Sequence, residues 1–290
     1  NGDLTRGCGT YEDPYIIDNT KQFITLYLYL TNKSQYDTMF KGSGKENEEG
    51  GRWKVNPVGG DDGDKSACSD PTAGGHHTAV SYGNEGFPTR EDLSTAYYKI
   101  IADINLSAFT DMNDINVSGE YCGLGSEAYP FAGVIIGTEG ASGRHTITLP
   151  KQGSIGNEQY KQSDFGLIWY MGGAVVKDLE IAGYGYNDTK NAYYNVLESG
   201  GGVASKIVGG DNIIDNVKVY MNFNMDNSHK IYGYNGSNIN AYYDVGIKGI
   251  GGLVGTIDTG TLVLRNYQKT DETMINCKFE EFKKNTDNSE

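Results

Sequence analysis

Glycine-punctuated alternation sets the limits on how this chain folds. The stretch Gly251-Gly252-Leu253-Val254-Gly255-Thr256-Ile257 has two looser copies upstream. They are Phe165-Gly166-Leu167-Ile168-Trp169 and Gly201-Gly202-Val203-Ala204-Ser205-Lys206-Ile207. After a short Gly/Asp/Thr break, each is followed by a second alternating apolar run, at residues 175–181, 213–219 and 262–267. A short strand, a glycine turn and another short strand, repeated, is the written form of a coiled β-solenoid. The pattern predicts an all-β chain, a single right-handed parallel β-helix over residues 1–290, with handedness following the chirality of parallel crossovers. Its expected parts are an N-terminal strand and helical cap in 1–32, a long loop-rich insertion in 33–96, stacked strands in 97–280 and a polar tail in 281–290. Ile257 is expected inside the stack, so that Ile257→Asp would unfold the chain.

The cap follows from local signals. Asp18-Asn19-Thr20 is an N-cap cluster, and Phe23, Ile24, Leu26, Tyr27 and Leu30 recur at helical spacing. A short amphipathic helix is predicted over 21–31, placed to cover the exposed strand edges at one end of the stack. Residues 33–92 are dominated by Gly, Asp, Asn, Ser and Lys. They read as a long excursion held by Trp53, Val55, Val58 and Cys68. Strand alternation begins at residues 97–106, with Tyr98, Ile100, Ala102, Ile104 and Leu106 on one face.

A second repeat is written in tyrosine. Tyr184-Gly185-Tyr186-Asn187 precedes Ala192-Tyr193-Tyr194-Asn195, and Tyr232-Gly233-Tyr234-Asn235 precedes Ala241-Tyr242-Tyr243-Asp244. Each block arrives before a glycine-rich copy, giving a unit of roughly 49 residues. The chain holds 22 Tyr against 9 Phe and 2 Trp. Tyr184, Tyr186, Tyr193, Tyr194, Tyr232, Tyr234, Tyr242 and Tyr243, mixed with Asn and Asp, form a candidate ligand-binding surface. Rings stack on sugar faces while amides and carboxylates bond hydroxyls; the plainer alternative is that these rings only cover the flank of the fold.

Charge narrows the partners. A formal charge of −14 and a pI near 4.7 argue against nucleic acid and anionic membrane surfaces. No run of 18 apolar residues exists, so no transmembrane helix is expected. Residues 1–10 do not read as a signal peptide, and both ends are polar. The chain reads as a piece of a longer exported protein. Its four cysteines match no CxxC metal spacing. Several pairings stay open; Cys68–Cys122, both in loop-like sequence, is the favoured one, and Cys277 reads as a buried thiol.

Gly-Cys-Gly-Thr-Tyr-Glu-Asp-Pro-Tyr-Ile-Ile at 7–17 resembles the opening of many bacterial surface modules. So does Tyr-Tyr-Lys-Ile-Ile-Ala-Asp-Ile-Asn-Leu-Ser at 97–107. Phe131-Ala132-Gly133-Val134 with Arg144-His145-Thr146-Ile147 is similar to a further strand motif, and Gly252-Leu253-Val254-Gly255 to the GLUG repeat. The resemblance is to the GLUG-type cell-surface repeat proteins of bacteria, and covers about 7–30 and 97–280. It implies a right-handed parallel β-helix used in adhesion or the cell envelope, with no catalytic residues to carry over. Gly166-Leu167-Ile168-Trp169 and Gly202-Val203-Ala204-Ser205 lack the closing glycine.

Asp178, Asp215 and Asp258 occupy comparable places in successive repeats and could stack as a carboxylate site; the alternative is that they are turn residues. His76-His77, His145 and His229 lack a third metal ligand. Asp61, Asp62 and Asp64, with Ser66 and Asp70, are a weak calcium candidate without EF-hand spacing. No Gly-x-Ser-x-Gly elbow is present, and Gly201-Gly202 and Gly251-Gly252 are not phosphate loops. No catalytic residue and no obligatory cofactor are assigned. The leading expectation is a non-catalytic, adhesin-like module of a bacterial cell surface that binds an extracellular glycan or protein. A polysaccharide-active lyase or hydrolase and a purely structural stalk are the alternatives.

Overall fold

Alternating apolar residues become strands where the sequence places them, and most pair in parallel. The computed structural model describes residues 4, 6–31, 89–106, 121–140, 143–150, 164–184, 193–195, 199–226, 249–266 and 274–278. The largest sheet has seven strands. In spatial order they are β1 (Tyr15–Ile17), β2 (Tyr97–Ile100), β4 (Val134–Gly137), β10 (Val175–Lys177), β14 (Ala204–Asp215) and β18 (Val254–Arg265). The seventh, β9 (Ile168–Gly172), pairs β14 off that path. A four-stranded sheet holds β3 (Ile104–Asn105), β7 (Thr146–Thr148), β11 (Glu180–Ala182) and β15 (Lys218–Tyr220). Two three-stranded sheets follow: β8 (Asp164–Phe165), β13 (Ser199–Gly201) and β17 (Gly249–Gly251), then β12 (Tyr193–Asn195), β16 (Asn222–Asp226) and β19 (Met274–Lys278). β5 (Glu139–Gly140) and β6 (Gly143–Arg144) form a small antiparallel pair.

Corners keep these sheets in step. Between β10 and β11 the chain turns at Asp178, and between β14 and β15 at Asn216; both have φ 56°, and Asn266 after β18 has φ 50°. Asp and Asn are the L-residues that best tolerate this left-handed conformation. Asn216 Nδ2 donates to Asp178 Oδ1 at 2.7 Å, and Asn266 Nδ2 donates to Asp215 Oδ1 at 2.7 Å. A second corner centres on buried Asn212. Its Oδ1 accepts from the N–H groups of Gly173 (2.8 Å) and Ala174 (3.0 Å). Its Nδ2 donates to the carbonyls of Gly209 (2.8 Å), Gly210 (3.2 Å) and Thr261 (3.0 Å). At the third corner close approach demands glycine: a Cβ on Gly201 would sit 2.7 Å from Gly255 N and Leu253 O. Ser199 and Ser205 close this corner by donating to one another's carbonyls, at 2.7 and 2.9 Å.

Helix α1 (Thr20–Thr31) forms where its cap predicts, with Asn19 Oδ1 accepting from Gln22 N–H at 3.1 Å. The amphipathic expectation is corrected, because every residue from 22 to 30 is buried. An apolar helix covered on all sides is an interior element. Helix α2 (Arg90–Thr95) falls inside the segment expected to be loop, and is started by a capping box between Thr89 and Asp92. Aromatic residues link helices and sheets. Tyr15 stacks on Tyr98 at 5.6 Å, Tyr98 lies 6.1 Å from Phe131, and the Tyr98 hydroxyl donates to Leu93 O at 2.6 Å.

The expected fold class is overturned. The strands divide among several sheets instead of one regular coil, β9 branches from the main path, one pair is antiparallel, and two helices pack with them. The class is mostly parallel β with a helical contribution, not a right-handed β-helix. Glycine-punctuated alternation reports strand, corner, strand; it does not require equal strand lengths or a uniform coil. Ile257 is likewise corrected: it is 51 % exposed, whereas its ladder partner Ile207 is fully buried. β18 is the last strand on its path, and Val263 and Leu264 are exposed there too. Cys8 is disulfide-bonded while Cys122 keeps its thiol, so Cys68–Cys122 is not formed. Trp53, Val55, Val58 and the 281–290 tail lie outside the described residues.

Ile207→Asp should unfold the chain, since it drives a carboxylate into the core, while Ile257→Asp should change stability by less than about 1 kcal/mol. Thermal melts followed by far-UV circular dichroism compare the two; equal losses would contradict the assigned burial. Alkaline pH supplies a second check. Burial raises the phenol pKa of Tyr15 above its ordinary value, with Asp92 and Asp13 adding to it, and burial likewise raises that of Tyr98. The unfolded chain sheds these protons near pH 10 while the native chain retains them, so stability is full below about pH 10 and falls as pH rises beyond it. In urea titrations above that pH, Tyr98→Phe should lose stability less steeply than the wild type.

Candidate functional site

A lysine in the apolar run Val203-Ala204-Ser205-Lys206-Ile207 needs a partner, because an unpaired buried ammonium is costly. Register supplies its neighbours: Tyr170 on β9, Lys206 on β14 and Thr256 on β18 form one row across three strands. Asp164 reaches the same place from β8, across the tight corner at Gly166, where a Cβ would sit 2.7 Å from Gly201 O. Lys206 Nζ and Asp164 Oδ2 are 2.7 Å apart, with side-chain exposures of only 7 % and 4 %. The Trp169 indole Nε1 donates to the same Oδ2 at 3.0 Å. Asp164 Oδ1 is buried and has no hydrogen-bond partner among the described residues.

This buried ion pair fixes an aromatic surface. Trp169 and Tyr170 are half-buried neighbours, their ring centroids 5.0 Å apart at an interplanar angle of 53°. Lys206 Nζ lies 5.3 Å from the Tyr170 ring centroid, within cation–π range. Desolvation raises the Tyr170 phenol pKa, Lys206 opposes that rise, and Asp164 and Glu127 add to it. Glu127 belongs to a turn in which Ser126 and Tyr129 exchange backbone hydrogen bonds at 3.0 and 3.1 Å. Phe131 N–H donates to Tyr170 O at 2.8 Å, which seats this turn beside the platform. Exposed Tyr129 in the same turn carries the Arg90 guanidinium 5.3 Å from its ring centroid. The arrangement offers apolar ring faces, the Thr256 hydroxyl 3.3 Å from Ser199 Oγ, and charges at the rim.

The candidates read from sequence fare differently. Tyr184 is exposed, and Tyr193 and Tyr194 lie on β12 in register with Asn222 and Phe223 of β16. Tyr186, Tyr232, Tyr234, Tyr242 and Tyr243 lie outside the described residues, as do Asp61, Asp62, Asp64, His76, His77 and His229. Of the three carboxylates, Asp178 is a turn residue at a left-handed corner, Asp215 ends β14 in register with Lys177 and Arg265, and Asp258 lies within β18. Amides of Asn216 and Asn266 occupy the two corner carboxylates, while Arg144 donates to Asn216 O at 3.0 Å and to its Oδ1 at 2.6 Å. His145 Nδ1 lies 3.3 Å from Asp103 Oδ1, an oxygen that also accepts from Thr146 N–H at 2.9 Å. Among the described residues no group of three His, Cys, Asp or Glu could hold a metal ion, and no helix is long and apolar enough to cross a membrane.

No family model, no curated protein and no solved structure matches this chain. The residues themselves therefore carry the functional argument. Removing the cation while keeping the stem, as in Lys206→Met, leaves the Asp164 carboxylate buried and uncompensated. A loss of about 3 kcal/mol is expected in urea denaturation. A loss below about 0.5 kcal/mol, the scale of an exposed pair, would mean that water reaches the two charges.

Proposed function

We propose that this chain is a non-catalytic binding module of a bacterial cell surface, and that it takes a neutral glycan on the Trp169–Tyr170 platform. The observation that carries the reading is the pair of half-buried rings 5.0 Å apart, with Asp164 held at the edge of the indole and Lys206 over the Tyr170 ring. Pyranose rings present an apolar C–H face to such surfaces, while hydroxyls at their edge meet groups like Thr256 and Glu127. Bracing matters because a ring already held in place loses little freedom when a ligand arrives. The net charge of −14 opposes acidic polysaccharides, which leaves uncharged sugars as the fitting class.

Resemblance of Gly252-Leu253-Val254-Gly255 and of the 97–107 segment to GLUG-type surface proteins supports the extracellular, adhesive setting. The Tyr232, Tyr234, Tyr242 and Tyr243 segment is proposed as a further contact region on the strength of its composition.

A glycan array probed with the full chain, followed by calorimetry on the best neutral ligand, tests the reading. Trp169→Ala and Tyr170→Ala should each weaken binding about tenfold or more, since a lost stacking ring costs on the order of 1.4 kcal/mol. Unchanged affinity in both folded variants would reject the platform. Loss only in a Tyr234→Ala/Tyr242→Ala variant would move the site to the tyrosine segment, and selective binding to acidic chains would reject the neutral class.

A further inference from the structure

Lys206 and Asp164 are arranged as reactants as well as ion partners. Nζ lies 2.7 Å from Oδ2, and the two side chains are almost wholly buried. The carboxyl carbon, one bond from that oxygen, is therefore within about 4 Å of the nitrogen, close to the separation of groups poised to react. The two carboxyl oxygens are treated differently. Oδ2 accepts from Trp169 Nε1 at 3.0 Å, while Oδ1 is buried without a hydrogen-bond partner among the described residues. Burying an ion pair with one oxygen unsatisfied is an expensive way to hold two strands together.

We propose that Lys206 and Asp164 condense within the folded chain into an amide cross-link between Nζ and Cγ, joining β14 to β8. The ammonium first gives a proton to the carboxylate at Oδ2, the oxygen that it meets at 2.7 Å, and the acid then carries it on Oδ1, leaving an amine and a carboxylic acid. The amine lone pair attacks Cγ, and the C–N bond forms. Negative charge collects on Oδ2, where the Trp169 N–H already points, as donors do in sites that stabilise a developing oxyanion. The C–Oδ1 bond then breaks, and Oδ1 leaves with its own proton and a second proton from nitrogen, as water. No oxidant, reductant or activating group is consumed. Fixed contact between the partners replaces the high concentration that amide formation in water would need. The product removes both buried charges and the unsatisfied oxygen, and keeps the oxygen that Trp169 holds.

The proposal stands apart from the glycan reading, because its readout is covalent mass. Intact-mass spectrometry of the unreduced, folded full chain should show it lighter than its sequence by one water, beyond any disulfide hydrogens. Proteolysis followed by tandem mass spectrometry should then yield one branched peptide containing both Asp164 and Lys206. Lys206→Arg, which keeps the charge but is a far poorer nucleophile, should keep its full mass. Separate linear peptides bearing unmodified Asp164 and Lys206, or loss of water that persists in Lys206→Arg, would overturn the cross-link.

Discussion

The side-chain amide of Asn212 is the contact on which the parallel ladders depend. A parallel sheet assembled from distant segments keeps its register only if each segment turns at the same level. Asn212 enforces this by bonding backward to Gly173 and Ala174, locally to Gly209 and Gly210, and forward to Thr261. Five hydrogen bonds from one buried side chain leave its polar atoms satisfied and tie β9, β14 and β18 at their common bend. A slip of one residue would turn each strand's apolar set outward, so fixing the bend fixes the core. The left-handed residues Asp178, Asn216 and Asn266 repeat the device at the next corner, with side-chain amides donating to carboxylates of the preceding segment.

From this register the rest follows. It sets Tyr170, Lys206 and Thr256 in one row, and it sets the Gly166 corner so that Asp164 meets the indole N–H of Trp169. At the other side of the large sheet, β1 and β2 align Tyr15 with Tyr98, and the aromatic stack continues to Phe131. Helix α1 is buried against the same region, which explains why apolar residues dominate it from Phe23 to Leu30.

Local features were legible in the sequence; those set by distant pairing were not. The N-cap cluster and periodic apolar residues located α1 to within a residue, and the three glycine-rich copies do form equivalent corners. Helix α2 is faint in the sequence although Thr89-Arg90-Glu91-Asp92 carries its capping signal, because it adjoins a long polar segment. A regular coil does not follow from the repeats: repeated strands and corners do not specify equal strands, and here lengths run from two residues in β3 to twelve in β14. The Trp169–Tyr170 pair is hidden in the sequence for a different reason. Lys206 was visible as a charge among apolar neighbours, yet its partner lies 42 residues away, and only the ladder register brings them together. Asp178 and Asp215 show the same limit: they recur at comparable spacing, yet Asp215 aligns with Lys177, and Asp178 is the turn residue one step beyond.

The exposed edge of β18 has a consequence for how the protein behaves in bulk. Among the described residues nothing pairs the outer side of this twelve-residue strand, and it presents Ile257, Val263 and Leu264 to solvent. Such an edge is a template for lateral growth by other chains. The net charge of −14 is a long-range defence, keeping like molecules apart before their edges meet. That defence is colloidal and weakens as added salt shortens the reach of the charges. Ionic strength and protein concentration would then govern whether these molecules stay separate or join edge to edge.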